Sequence, residues 1–177
     1  MSLMEKPPAA AAAEDVSLRP ERPEDAARAE GLVARAFGPG RFAKTAERLR
    51  EGRTPDLSMS FVAWSEDEAV GCVRQWPVTI GGTPALLLGP IAVEAAWRKR
   101  GLGAALVRRA CEAAREAGWR LIVLVGDEPF FGPLGFTREA ARNVRLPGPV
   151  DPRRVLVAEL APGAADGLEG LVSPATA

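Results

Sequence analysis

An almost unbroken apolar run, Ala85 to Val93, reads as a strand buried on both faces, and a second, Leu121 to Val125, follows about thirty residues later. Between them Leu102, Leu106, Ala110, Ala113 and Ala117 recur at helical spacing. A strand, a helix and a second strand in that order require a parallel pair joined by a right-handed crossover. Upstream, Met59, Phe61 and Ala63 alternate with Ser60, Val62 and Trp64, and Glu66-Asp67-Glu68 turns the chain into Ala69 to Val78. That is a hairpin, and Gly81-Gly82 turns once more into the buried run. Antiparallel hairpins feeding a parallel crossover make a mixed sheet, so the fold class is α/β.

The turn that opens the helix is Arg98-Lys99-Arg100-Gly101-Leu102-Gly103. The first amides of a helix have no partner within it, and the macrodipole adds positive potential there. Two glycines let a ligand approach the backbone closely, and three cations flank the turn. This combination suits a phosphate group. The turn lacks the Gly-Lys-Ser/Thr of a nucleoside-triphosphate loop, and the third glycine and acidic ribose ligand of a dinucleotide site. A nucleotide-binding reading, in which ATP competes for the turn, is therefore disfavoured. Within the preceding strand, Gly89-Pro90 interrupts the apolar run. Proline cannot donate to a ladder and glycine permits a bulge, so the ladder is interrupted there.

The rest of the chain fits one domain. Residues 1–14 are rich in alanine and proline and read as disordered. Val16 to Arg19 is a candidate first strand. Pro23-Glu24-Asp25 begins a helix that Gly38-Pro39-Gly40 ends, and a second helix is expected over Arg41 to Arg50. Asn143 to Leu146 and Arg154 to Leu160 are candidate late strands. The domain thus runs over 15–162, and the aperiodic tail, 163–177, is expected to pack loosely.

Composition mainly excludes. The 23 basic and 23 acidic residues leave no net charge, so bulk attraction to nucleic acid or an anionic membrane is not expected. No apolar run approaches the ~20 residues of a membrane span, and the Ala-rich start lacks the features of a signal peptide, which predicts a cytoplasmic protein. The count of histidine is 0, which removes histidine acid–base chemistry, Ser-His-Asp and Cys-His nucleophiles, and the usual zinc ligand sets. No metal is expected. Cys72 and Cys111 sit in apolar patterns and read as small core residues.

The basic turn resembles the Arg/Gln-x-x-Gly-x-Gly/Ala signature of the GNAT superfamily of N-acetyltransferases, with Arg98, Gly101 and Gly103 on the defining positions. Leu86 to Val93 looks like that family's fourth strand, and Leu121 to Phe136 like its fifth strand and following helix, ending in Gly135-Phe136. The resemblance implies a single-domain GNAT-like fold: a mixed, mostly antiparallel sheet with a splayed parallel pair of central strands flanked by helices. It implies acetyl-CoA as acyl donor, its pyrophosphate held by Arg98, Lys99, Arg100, Gly101, Leu102, Gly103 and Ala104. Pantetheine would enter the splayed gap and bond the backbone of Ile91 and Val93, with an amide near Ile91 or Ala92 holding the oxyanion.

The implied reaction is direct acetyl transfer to an amine of a small molecule or peptide. Glu94, Asp127 and Glu128 are candidate bases, and each is equally explained as a solvated loop carboxylate. Trp64, Arg74 and Trp76 are candidates for the acceptor pocket or for simple cover of the sheet. The resemblance also departs from the family at one place: the position of the usual thiolate-protonating tyrosine holds Phe131, whose ring cannot donate but can wall the pantetheine tunnel. An acyl-CoA-binding sensor with little turnover is the alternative. Similar proteins often form homodimers.

Overall fold

The computed structural model describes residues 15–176, so the segment expected to be disordered, 1–14, lies outside the described residues. In chain order the strands are β1 (Ser17–Pro20), β2 (Phe61–Ser65), β3 (Glu68–Ile80), β4 (Thr83–Val93), β5 (Leu121–Val125), β6 (Phe136–Thr137), β7 (Val144–Arg145), β8 (Val155–Glu159) and β9 (Gly170–Pro174). The α-helices are α1 (Ala26–Phe37), α2 (Thr45–Arg48), α3 (Leu102–Glu116) and α4 (Glu128–Phe131). The sheet order is β1-β2-β3-β4-β5-β8-β6, with β9 beside β3 and β7. All pairs along the main path are antiparallel except β4 and β5, the pair joined through α3.

The sheet is covered on both faces. α3 lays Leu102, Leu106, Val107 and Ala110 against Phe61, Val73, Leu86 and Ile122. On the opposite face α1 buries Ala29, Leu32 and Val33 against Val62, Trp64, Cys72 and Ala92. The α3 apolar stripe is the period read from sequence, and α1 begins after a 3-10 turn at Pro23–Asp25 and ends at Gly38, which has φ of 66°.

The β4 strand changes character at its middle. Val73 of β3 faces Ile91, yet Gln75 faces Leu88, so β4 carries one residue more than its partner around Gly89-Pro90. This is the bulge anticipated from the Gly-Pro pair. It also switches parity. Leu86 and Leu88 face the α3 cluster before the bulge, and Ile91 and Val93 face it afterwards. Without the extra residue, Ala92 would turn toward α3 and Ile91 and Val93 away from it. Trp76 fixes the bulge by donating its indole Nε1–H to the Gly89 carbonyl at 2.6 Å.

Two expectations are corrected. The tail is not loosely packed: β9 pairs Val78, Thr79 and Ile80 of β3 with Pro174, Ser173 and Val172, and Val172 is fully buried. β3 is longer than β2 can cover, and β9 occupies the exposed remainder of its edge, which resolves an unpaired-edge problem that local sequence does not reveal. The helix expected over Arg41 to Arg50 is also shorter. A 3-10 segment, Pro39–Ala43, precedes the single turn of α2. Of the late strands, Asn143 to Leu146 contracts to β7, while Arg154 to Leu160 is realised as β8.

Candidate active site

The β4–β5 ladder consists of Leu86 with Ile122 and Leu87 with Val123, and β4 has no β5 partner from Leu88 onward among the described residues. A cavity of about 570 Å³ occupies the opening. Its walls come from Leu88 to Ile91 on one side and Leu124 to Asp127 on the other, with Phe130 and Phe131 of α4 and parts of α1 and α2. The gap between the parallel strands is thus real space, bounded by two strand ends whose backbones have parted. A second cavity of about 350 Å³ adjoins it, and both are lined by Arg50 and Pro90.

At the same end of the sheet α3 begins. Gly101 is its N-cap with φ of 78° and ψ of 8°, a left-handed conformation that glycine adopts without strain. Among the described residues no side chain caps the helix and no acid lies in its first turn, so the leading amides, Leu102 to Ala104, retain their donor capacity for a ligand. A Cβ on Gly101 would meet nothing within 4 Å, leaving the backbone open to approach. Lys99 also has a positive φ, 62°, which turns the chain sharply before the helix. Arg98 and Lys99 are exposed; Arg100 lies over the Trp97 ring at 5.0 Å. The Arg98 Nε donates to the Val93 carbonyl at 3.1 Å, tying the turn to the end of β4.

The sequence-derived residues divide clearly. Ile91 and Phe131 line the cavity. Val93 packs on the α3 side beside it, while Ala92 is buried against α1, so only its backbone can serve the gap. The Leu102 side chain belongs to the core. Gly103 links turn and cavity: a Cβ there would stand 3.8 Å from Phe130 Cζ. Phe131 meets Phe130 and Phe136 edge to face at 4.8 and 5.8 Å. Its ring lies so close over Gly126 that a Cβ would come within 2.3 Å of Cε2, and glycine is the residue that admits it.

The carboxylates also separate. Glu94 is held by Arg35 of α1, at 2.8 Å from Nε and 2.5 Å from Nη2, and does not line the cavity. Glu128 accepts the Arg138 amide at 2.7 Å and faces another hollow. Asp127 alone of the three lines the gap, paired with Arg154 Nε at 3.1 Å. Among the aromatic and arginine candidates, Trp64 covers the sheet beneath Arg19 and Arg28. Trp76 and Arg74 line the adjoining cavity. Arg74 donates from Nη2 and Nε to the two Glu21 carboxylate oxygens, at 2.6 and 3.0 Å, and forms an ion pair with Glu30. Burial acts to lower the Arg74 pKa, but the bonds from Glu21 and then Glu30 outweigh it and raise it.

Sequence reading missed Arg50. It lies just beyond α2, and its Nη1 stands 3.5 Å from where a Cβ on Gly89 would sit, beside the bulge. Burial holds its pKa below the ordinary arginine value, with Arg41 and Arg74 acting in the same direction against Glu47 and Glu30. The two residues that meet are 39 positions apart in sequence, with no periodicity to join them.

Residues 56–138 match the model of the Acetyltransferase (GNAT) domain. Over 158 residues, 88% of this chain and 93% of the relative, the chain is 30% identical to the Escherichia coli (strain K12) protein named uncharacterized N-acetyltransferase YhbS. The chain belongs to the GNAT acetyltransferase family. Its fold is similar to the crystal structure of Escherichia coli YhbS in complex with CoA, with a TM-score of 0.78 and 29% identity over 91% of this chain and 90% of that one. It is also similar to a GNAT acetyltransferase from Brucella melitensis in complex with acetyl-CoA, with a TM-score of 0.67 and 26% identity over 91% and 96% of the two chains.

Proposed function

We propose that this protein is an acyltransferase that passes the acetyl group of acetyl-CoA directly to an amine of a small molecule or peptide. The observation that carries the reading is the parting of β4 and β5 at Leu88, beside the uncapped start of α3. The relatives crystallised with CoA and acetyl-CoA support it. The donor fits the residues present. The leading amides of α3, with Arg98, Lys99 and Arg100, offer the diphosphate hydrogen bonds and positive charge. Ile91 and Val93 offer backbone groups along the open edge of β4, and Phe131 walls the gap.

In the reaction the amine nitrogen forms a bond to the thioester carbonyl carbon, and the carbon–sulfur bond then breaks. An amide near Ile91 or Ala92 would hold the oxyanion, since Pro90 has no N–H to give. The attacking amine must be neutral, which costs about 4 to 5 kcal/mol at pH 7 for a lysine-like amine and about 1 for an α-amine. Asp127, which lines the gap together with Glu47 and Asp151, takes the proton directly or through water. Phe131 cannot protonate the departing thiolate. A thiol pKa of about 8.5 makes that thiolate a tolerable leaving group, so the lost acid lowers the rate about 100- to 10,000-fold without abolishing turnover.

Calorimetric titration with acetyl-CoA, followed by thiol release across an amine panel, tests the proposal. Binding with amine-dependent thiol release is expected. Binding without any acceptor-dependent release would instead favour the sensor reading, which the missing hydroxyl at Phe131 keeps in view. Absence of binding would defeat both.

A further inference from the structure

The cations around the cleft differ in how well they are compensated. Arg74 is gripped by Glu21 and Glu30. Arg154 is matched by Asp127, and Arg41 contacts Glu30 at 3.3 Å. Among the described residues Arg50 pairs with Glu47 alone, through one contact of 3.3 Å from Nη2, although its side chain is just 11% exposed. Its Nε is buried with no hydrogen-bond partner among the described residues. A buried guanidinium left this incomplete is costly, because desolvated donors go unmatched. It is also placed at the cleft: it lines both cavities, lies against the Gly89 bulge, and shares the larger cavity with Phe131.

We propose that Arg50 recognises a carboxylate on the acceptor, so that the substrate is an amine that also carries a carboxylate, an amino acid or a similar amino-carboxylic acid. The inference rests on the acetyl-transfer reading and specifies its acceptor. The Arg50 guanidinium is incompletely matched where it meets the bulge, and one carboxylate would supply the missing charge and acceptors. Three glutamates and five arginines line the adjoining cavity, so an anion is attracted there, and phosphate-bearing amines separate phosphate from carboxylate. A planar carboxylate also fits a guanidinium edge through paired N–H bonds, as a point charge does not. The apolar walls from Val33, Phe37, Leu88 and Ile91 leave room for an aliphatic or aromatic body between amine and charge.

The test uses the full chain and matched acceptors: amino acids, their carboxamides, and amines of similar shape bearing a phosphate. Acetyl-CoA affinity is measured first by calorimetry, for wild type and for Arg50→Gln and Arg50→Lys, with thermal unfolding confirming that the variants fold. Wild type is expected to favour the carboxylate over its carboxamide by about 30-fold or more in kcat/KM. The preference should fall below about threefold in Arg50→Gln and return in part in Arg50→Lys, with acetyl-CoA affinity unchanged throughout. If acetyl-CoA binds and carboxamides react as well as carboxylates, if phosphate-bearing amines are preferred, or if Arg50→Gln keeps the preference, the assignment is overturned. Failure of wild type to bind acetyl-CoA is a different result: it defeats the acetyl-transfer reading itself, and this inference with it.

Discussion

The two halves of β4 are equally apolar and serve opposite ends. In the first half Leu86 and Leu87 are buried and bonded into a parallel ladder with β5. In the second, Ile91 and Val93 keep β3 on one edge and face the cavity or its flank on the other. Hydrophobicity does not distinguish these halves. What separates them is the Gly89-Pro90 pair, which adds one residue, diverts the strand and leaves an edge unpaired. A sheet can thus make a binding cleft from core-like sequence, provided a bulge stops the ladder and a helix start lies beside the stop.

The strongest way to break this contrast is Leu86→Ala. In the closed half it should cost about 2 to 5 kcal/mol of stability in urea denaturation, through lost burial and a residual cavity. The folded protein should bind acetyl-CoA as wild type does. A selective loss of affinity would show that the halves are not separable.

A smaller effect, with the sign reversed, is expected in the open half. Phe131→Tyr restores a donor at the gap and should raise kcat about tenfold to 100-fold in thiol release, with acetyl-CoA affinity little changed. An unchanged kcat would place the ring's far edge away from the leaving sulfur. Gly101→Val then tests the helix start. A β-branched residue resists a φ of 78° and screens the free amides, so affinity should fall about tenfold, close to 1.4 kcal/mol, in calorimetry. Equal affinity would remove the turn from the site.

The mildest test asks whether the open half is open only along its edge. Cys72 faces Ala92 across the strands and is fully buried, and burial pushes its thiol pKa up to about 12; burial likewise carries Cys111 to about 11. Neither thiol should react with a thiol-specific reagent at pH 8 until the chain unfolds. Rapid labelling of Cys72 in the folded protein would mean that the face, and not just the edge, of β4 is accessible.

Much of this contrast was legible in the residues themselves. The β4–turn–α3–β5 order, the bulge at Gly89-Pro90 and the glycine at the helix start are local patterns, and each is realised where the pattern stands. What stayed hidden depends on partners distant in sequence. β9 exists because β3 outruns β2 and leaves Val78 to Ile80 an edge to fill. Glu94 is withdrawn from the gap by Arg35, 59 residues away, and Glu128 by the Arg138 amide. Arg50 reaches the bulge only because the short α2 turn brings it there. Spacing reveals elements, whereas the choice among several equivalent carboxylates or arginines is made by packing.

Amide hydrogen exchange with and without saturating acetyl-CoA tests the cleft most directly. New protection should concentrate at Ile91, Val93 and the leading amides of α3, Leu102 to Ala104, while Leu86 and Leu87, already within the ladder, change little. Protection appearing elsewhere, with these amides exchanging as before, would contradict the assignment of donor binding to the open half of β4 and the start of α3.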